Sequence, residues 1–164
     1  MEAEFSKPGK IRFDHEKLDV YQLSLRFLAW VAELLAEVKG QSNRSTAEVR
    51  GHLDCAALSI LLNIAEGNAK RQAALRARFL DDSRGSAAEC AACLDSLVAM
   101  GACLAARVDE GKDILVRIVS MLTRMIDRLD ERVAAHGSPA AAMNTRARVR
   151  ERIRVRERED GPER

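Results

Sequence analysis

The chain has few aromatic residues and few prolines. Its 164 residues include one tryptophan, one tyrosine, four phenylalanines and three prolines. Proteins that bind single-stranded nucleic acid by stacking its bases use a platform of aromatic side chains, and that platform is not available here. The scarcity of proline, with the abundance of alanine, leucine, arginine and glutamate, favours helices. We therefore expect an all-α fold.

The chain also lacks long apolar segments. The longest, residues 27–38, is interrupted by Glu33 and Glu37, so no segment reaches the length of a membrane span. Residues 1–11 lack the apolar centre of a signal peptide. We expect a soluble cytoplasmic protein with no membrane partner, and its four cysteines suit a reducing compartment. The hydrophobic fraction of 47% is enough for one core.

Patterns of catalytic or metal-binding residues are missing as well. Cys90 and Cys93 have the spacing of a metal or redox pair, but no second Cys or His pair accompanies them, and we interpret both as core residues. The histidines His15, His52 and His136 are scattered. No Glu has a His three positions later, as a di-iron bundle requires. We expect no enzyme, no metal, no cofactor and no small-molecule substrate.

Positive charge is concentrated at the C-terminus. Of 27 basic and 25 acidic residues, residues 145–164 hold eight arginines and five acids, which leaves 19 and 20 in residues 1–144. Arginine recurs at every second position, which on a helix would leave no apolar stripe. We expect residues 138–164 to be a disordered or frayed tail that can neutralise phosphates, after a disordered arm (1–12) and a bundle (13–137). The tail cations assigned to nucleic-acid binding are Arg146, Arg148, Arg150, Arg152 and Arg154.

Four amphipathic segments are separated by polar turns. The first helix is predicted to begin at Asp14, with Phe13 and Leu18 as a hydrophobic staple, and the second to follow a capping box at residues 45–48. The second helix is predicted to end at Gly67 with positive φ. The third is expected over about residues 71–106, then a turn at 109–111 and a fourth helix ending at 136–139. The apolar row of the fourth helix comprises Ile114, Leu115, Ile118, Leu122, Met125, Ile126, Leu129 and Val133.

Two of these helices have unusual faces. The first carries two apolar rows, which indicates either an extra surface covered by a partner subunit or one broad buried face. The third has a run of small residues in its middle, which predicts a close crossing with a neighbouring helix. That run comprises Gly85, Ser86, Ala87 and Cys90.

Polar residues lie close to the inward rows of the second and third helices. Burying an unpaired charge is costly, so we predict that Glu66 pairs with Arg84, and Asn63 with Glu89. The structural polar motif therefore comprises Asn63, Glu66, Gly67, Arg84, Gly85, Ser86 and Glu89.

Four cations crowd the start of the third helix. They are Lys70, Arg71, Arg76 and Arg78. They form either an ordinary solvated face or a patch that contacts anions, and phosphate contacts of this kind give salt-sensitive binding without sequence preference.

Several motifs in fixed order carry a family resemblance. They are Ser-Ile-x-x-Asn-Ile-Ala-Glu-Gly at 59–67, Lys-Arg at 70–71, Arg-Phe-Leu at 78–80 and Arg-Gly-Ser-x-x-Glu at 84–89. Over about residues 13–135 the chain resembles the four-helix bundle proteins first noticed in intervening sequences of bacterial 23S ribosomal RNA genes. Members usually carry proline at the position of Leu61, and glutamine and two arginines at those of His52, Asp54 and Cys55.

The resemblance implies an antiparallel up-down-up-down four-helix bundle that assembles into a ring, with the homopentamer as the associated form. A similar protein is the accessory variability determinant of diversity-generating retroelements, which binds a reverse transcriptase and its RNA template. Our leading hypothesis is a non-enzymatic scaffold that contacts RNA or a nucleic-acid enzyme through the helix-three cations and the tail. The alternative is a protein-only assembly module, which the departures at Asp54 and Cys55 favour.

Overall fold

A computed structural model describes residues 13–38 and 44–136. They form a short 3-10 helix, Asp14–Lys17, and four α-helices. These are α1 (Asp19–Val38), α2 (Arg44–Ala69), α3 (Ala73–Ala99) and α4 (Ala105–His136). The predicted arm (1–12) and the predicted tail (138–164) lie outside the described residues.

The helices pack as a closed cycle. α1 contacts α2 and α4, and α3 contacts the same two helices from the other side. Three residues (70–72) join α2 to α3 and five (100–104) join α3 to α4, and such short connections make consecutive helices antiparallel. The prediction of an all-α, up-down-up-down four-helix bundle is therefore confirmed.

The core runs along the axis of the bundle, and every helix contributes to it. Its largest fully buried side chains recur at steps of three and four, the spacing of one helix face. They include Phe27, Leu34, Leu53, Ile60, Ile64, Leu94, Leu97, Ile118 and Leu122. Of the two apolar rows on α1, the row through Phe27 and Leu34 is buried, whereas Leu25 and Leu28 of the other row are half-buried. α1 thus presents a broad apolar face with a partly exposed margin.

The boundary between α3 and α4 differs from the prediction. α3 ends at Ala99, and Gly101 adopts a φ of 70°. The Gly101 N–H donates to the Val98 carbonyl and the Ala102 N–H to the Leu97 carbonyl, both at 2.9 Å, which is the Schellman pattern of helix termination. The prediction of one helix over residues 71–106 and a turn at 109–111 is wrong.

Gly111, the last residue of the predicted turn, lies inside α4 and packs against Trp30. A Cβ placed on Gly111 would lie 2.3 Å from two atoms of the Trp30 ring, so glycine is required there by close approach rather than by backbone conformation. Arg107 lies over the same ring, 5.2 Å from its centroid, and donates to both Glu37 carboxylate oxygens at 2.7 Å. These contacts fasten the start of α4 to the end of α1.

The predicted helix starts are shifted. Phe13 is 62% exposed and stacks on the His15 ring instead of forming a staple, while its N–H donates to Glu16 Oε2 at 3.1 Å. The chain therefore enters α1 through a 3-10 turn. α2 already begins at Arg44, so Ser45 lies within the helix rather than capping it.

Candidate nucleic-acid interface

One end of the bundle brings together the start of α1, the end of α2, the start of α3 and the end of α4. Side chains from all four segments line one cavity there. We name this surface the cation end, after the basic side chains of the α2–α3 connection, α3 and α4 that lie there. They are Lys70, Arg71, Arg76, Arg78, Arg128 and Arg132. Since α4 ends at His136, the chain that continues into the arginine tail also departs from this end.

Gly67 sets how closely α2 and α3 approach at the cation end. It is buried within α2, and a Cβ placed on it would lie 2.9 Å from Phe79 Cβ and 3.4 Å from the Arg76 carbonyl oxygen. Within the described residues only Gly101 has positive φ, so the prediction that Gly67 ends α2 in that conformation is wrong. Because Gly67 has no side chain, the backbone of α3 can approach α2 closely at this position. The helix α2 continues past Gly67 to Ala69.

Lys70 is engaged within the protein. Its Nζ lies 2.8 Å from Glu66 Oε1 and 4.7 Å from the centroid of the Phe79 ring. Both contacts stabilise the positive charge locally. Lys70 therefore contributes less free charge to an anion than the sequence alone indicates.

Arg76 is also held in place. Its Nη2 donates to Asn68 Oδ1 at 2.8 Å, across the connection between α2 and α3. A guanidinium has five N–H donors, so this one bond orients the side chain and leaves further donors for an anion. Arg76 lines the cavity and is half-buried.

Arg71 and Arg78 are the solvated cations of the predicted patch. Both are exposed, and neither forms an ion pair with another described residue. Lys70 and Arg71 lie in the α2–α3 connection rather than on α3, which begins at Ala73. The four predicted cations thus divide into two that are oriented by protein contacts and two that face solvent. The solvent-facing pair, Arg71 and Arg78, is better suited to phosphate contacts, because no ion pair within the described residues competes for the positive charge of these side chains.

Sequence reasoning missed Arg128 and Arg132. Both line the cavity with Arg76, from the end of α4. The signal was present: the two arginines are four residues apart and flank Leu129, a predicted inward residue, so they lie beside the core on one side of the helix.

The predicted polar pairs between α2 and α3 are wrong. Glu66 pairs with Lys70, and the Arg84 guanidinium donates to Asp81 Oδ1 at 2.5 Å. Glu89 lies 3.7 Å from Nδ1 of His52 instead of pairing with Asn63. Two of these contacts join residues only three or four positions apart in the sequence, where charged side chains meet without crossing to a neighbouring helix.

The predicted close crossing at Gly85 and Ser86 is also displaced. A Cβ on Gly85 would meet no atom within 4 Å, and Ser86 donates back to the Asp82 carbonyl of its own helix at 3.1 Å. Of the predicted run, Ala87 and Cys90 are buried, and they share the inner face of α3 with the small residues Ala77, Ser83 and Cys93. Ser83 is fully buried, and its hydroxyl donates across to the Ile60 carbonyl of α2 at 2.9 Å.

Carboxylates lie beside the cation end. Partial burial raises the pKa of Asp130, and the nearby charges of Asp127 and Asp81 add to that rise. The acidic groups therefore gather between α3 and α4.

The cysteines are poor candidates for chemistry. Cys90 is fully buried, and burial raises its pKa to about 12. Burial raises the pKa of Cys93 too, so both thiols stay protonated near neutral pH. Cys55 is exposed and Cys103 is half-buried. Within the described residues no group of three or more His, Cys, Asp or Glu side chains has the arrangement of a metal site.

The geometry places this protein in the class of antiparallel four-helix bundles with a cation-rich end. The sequence model of the 23S rRNA-intervening sequence protein family matches residues 16–124, so the chain belongs to that family. The match includes α1, α2 and α3 and the first part of α4. No curated protein matches the chain. No helix in residues 13–38 or 44–136 has an apolar stretch that could cross a bilayer.

Proposed function

We propose that this protein is a non-enzymatic, homo-oligomeric scaffold of the cytoplasm. It binds RNA, or an enzyme acting on nucleic acid such as a reverse transcriptase, through the cation end and the arginine tail. One observation carries the proposal: the chain leaves α4 toward the tail at the same end of the bundle where Arg76 of α3 and two arginines of α4 line one cavity.

Electrostatics determines the binding mode. Each phosphate neutralised by a protein cation releases a counterion, and the logarithm of the binding constant falls by about 0.7 to 0.9 per contact for each tenfold rise in salt. Arg71 and Arg78 are exposed and available for such contacts. We expect binding that is steeply salt-dependent and indifferent to base sequence.

The test is filter binding of a structured RNA over a salt series. The variants are Arg71→Glu with Arg78→Glu, a deletion of residues 138–164, and the two combined. We expect the combined variant to bind at least about tenfold more weakly at low salt, with a shallower salt dependence, because several phosphate contacts are lost.

A matched control reverses two cations elsewhere. Arg26 on α1 and Arg117 on α4 are exposed and lie in the middle of the bundle. Arg26→Glu with Arg117→Glu changes the net charge as much as the first variant, and its RNA affinity should stay near that of the wild type. Equal losses for both double variants would overturn the assignment to the cation end, as would an affinity insensitive to the combined variant.

The oligomer is proposed from the family resemblance, which points to a pentamer, and two exposed apolar surfaces support it. Leu58 and Leu62 on the outside of α2 are 44% and 56% exposed. A groove between α3 and α4 is lined by alanines and by Val116, which is 64% exposed. Two different surfaces of this kind can join head to tail, and such contacts close into rings.

Light scattering after gel filtration tests the ring. We expect a mass near five times that of one chain, and a smaller mass for Leu58→Glu with Leu62→Glu. Leu104→Glu is the control, since Leu104 is 80% exposed in the α3–α4 connection. A monomeric wild type would refute the oligomer.

The second candidate is a protein-only assembly module whose tail binds an acidic partner or keeps the ring in solution. It is favoured by the pairing of Lys70 with Glu66 and by the exposed Asp54 and Cys55, at positions where the resembling family usually carries arginine. An intact oligomer without measurable RNA affinity would select it. A neighbouring reverse transcriptase gene with a template repeat would favour the first candidate.

A further inference from the structure

The floor of the cavity at the cation end is apolar, and residues from the start of α1 and from α2, α3 and α4 contribute to it. The volume of the cavity is about 150 Å³. A cavity of about that size lined by aliphatic side chains is large enough for one benzene ring. The floor is formed by Leu18, Ile64, Leu80, Met125 and Leu129.

The rim of this cavity is polar and basic. Asn68, Arg76, Arg128 and Arg132 line it, and no carboxylate does so among the described residues. Since Asn68 Oδ1 accepts from Arg76 Nη2, the N–H groups of the same amide remain to donate to a ring carbonyl. The Arg76 guanidinium, fixed by that bond, offers a plane on which a base can stack.

Arg128 and Arg132 supply the anion-binding part. They lie one helical turn apart on α4, and both line the cavity. Arg132 also has an interaction within the protein, and a guanidinium with five N–H donors can keep one partner while it binds phosphate. Guanidinium groups bind phosphate through two parallel N–H···O bonds. An apolar slot for one ring beneath a pair of arginines matches a molecule with a flat six-membered ring and a phosphate a few ångströms away.

We propose that this cavity binds one pyrimidine nucleotide, either free or unpaired in an RNA strand. The base occupies the apolar floor, the Asn68 amide donates to a ring carbonyl, and Arg128 and Arg132 bind the phosphate. Binding of the nucleotide within a strand rests on the proposed RNA-binding function. Binding of the free nucleotide does not rest on that function, so titration with a free nucleotide tests the cavity separately from the proposed RNA binding.

The experiment is calorimetric titration of the full chain with UMP, uridine, inorganic phosphate and AMP. We expect UMP to bind at least tenfold more tightly than uridine or phosphate alone, because ring and phosphate are both recognised. AMP should bind more weakly, since its two-ring base exceeds a cavity for one ring. Phosphate that binds as tightly as UMP would overturn the proposal, and so would AMP that binds as tightly.

Two variants locate the site. Met125→Trp fills the floor, and Met121→Trp is its control, because Met121 is also half-buried on α4 but does not line the cavity. Arg128→Gln, at an exposed position, removes the charge with little risk to the fold. We expect at least tenfold weaker UMP binding for Met125→Trp and Arg128→Gln, and none of that loss for Met121→Trp.

The results separate this site from the proposed function. Structured RNA that binds while UMP does not would overturn the pyrimidine site and leave the scaffold function standing. UMP that binds while RNA does not would support the site and remove the RNA function. Unchanged UMP affinity in both cavity variants would place the nucleotide elsewhere and overturn the proposal.

Discussion

The two ends of the bundle use polar groups in opposite ways. At the end opposite the cation end, Arg107 of α4 reaches Glu37 of α1, seventy positions away in sequence. At the cation end, Lys70 and Arg76 bond to residues four and eight positions away. The first end is fastened by contacts between distant segments, while the second keeps a cavity and exposed cations. The ion pair between distant segments and the proposed binding surface thus lie at opposite ends of one small bundle.

Gly111→Ala should lower the free energy of unfolding more than any other change proposed here, because it disrupts the packing of α4 against α1. The added methyl group would meet the Trp30 ring at 2.3 Å, and overpacking in a core costs up to about 3 kcal/mol. Urea unfolding followed by circular dichroism measures the loss. Gly85→Ala is the control, because its Cβ meets nothing within 4 Å, and it should stabilise by about 0.5 kcal/mol. Equal stability of the two variants would contradict the packing at Trp30.

Gly67→Ala tests the corresponding close approach at the cation end. Its Cβ would lie 2.9 Å from Phe79 Cβ, so α3 must shift, at a cost of about 1 to 2 kcal/mol. Gly51→Ala on the same helix meets no atom within 4 Å and should be stabilising. A gain for Gly67→Ala in the same unfolding assay would show that α2 and α3 can separate there freely.

Gly101→Ala probes the turn that leads into the fastened end. At a φ of 70° an alanine is strained by about 1 kcal/mol, which should lower the melting temperature. Gly101→Asn should lose less, because asparagine tolerates this conformation better than other residues. A larger loss for asparagine than for alanine would argue against a left-handed residue at this position.

The smallest effect is expected from the pH dependence of Glu37. Its hydrogen bond with Arg107 lowers its pKa below the ordinary value of 4.5. The lowered pKa stabilises the fold above the unfolded-state pKa, and this contribution disappears as pH falls through the folded-state pKa. Glu37→Gln should therefore be less stable than the wild type near pH 7 and lose that difference in acid.

Urea midpoints over a pH series measure the Glu37 effect. Glu48→Gln on α2 is the control, since Glu48 is exposed and forms no ion pair with a described residue. It should keep the pH profile of the wild type. A Glu37→Gln profile parallel to that of the wild type at every pH would contradict the assigned ion pair.

Much of the fold follows from apolar spacing alone. The buried residues Ile114, Ile118 and Leu122 of α4 belong to the row that the sequence indicates. The α3–α4 boundary did not follow, because Asp-Glu-Gly at 109–111 has the composition of a turn. Its glycine is needed instead because it packs against Trp30, 81 positions earlier in the sequence. Local sequence patterns do not reveal contacts between such distant residues.

The candidate site was less predictable than the fold. The motif residues Glu66 and Arg84 were recognised as polar groups near the core, but their partners were not, because several oppositely charged residues lie within reach. Arg128 and Arg132 were overlooked because their relation to α2 and α3 arises only when the helices pack.

The distribution of the thiols has a practical consequence. Cys90 and Cys93 are buried, whereas Cys55 lies exposed on α2, one turn from Leu58. Because thiol alkylation depends on access, a maleimide dye added to the unaltered protein should attach first at Cys55. The native chain thus offers a position for a fluorescent reporter beside a proposed contact between copies, without engineering.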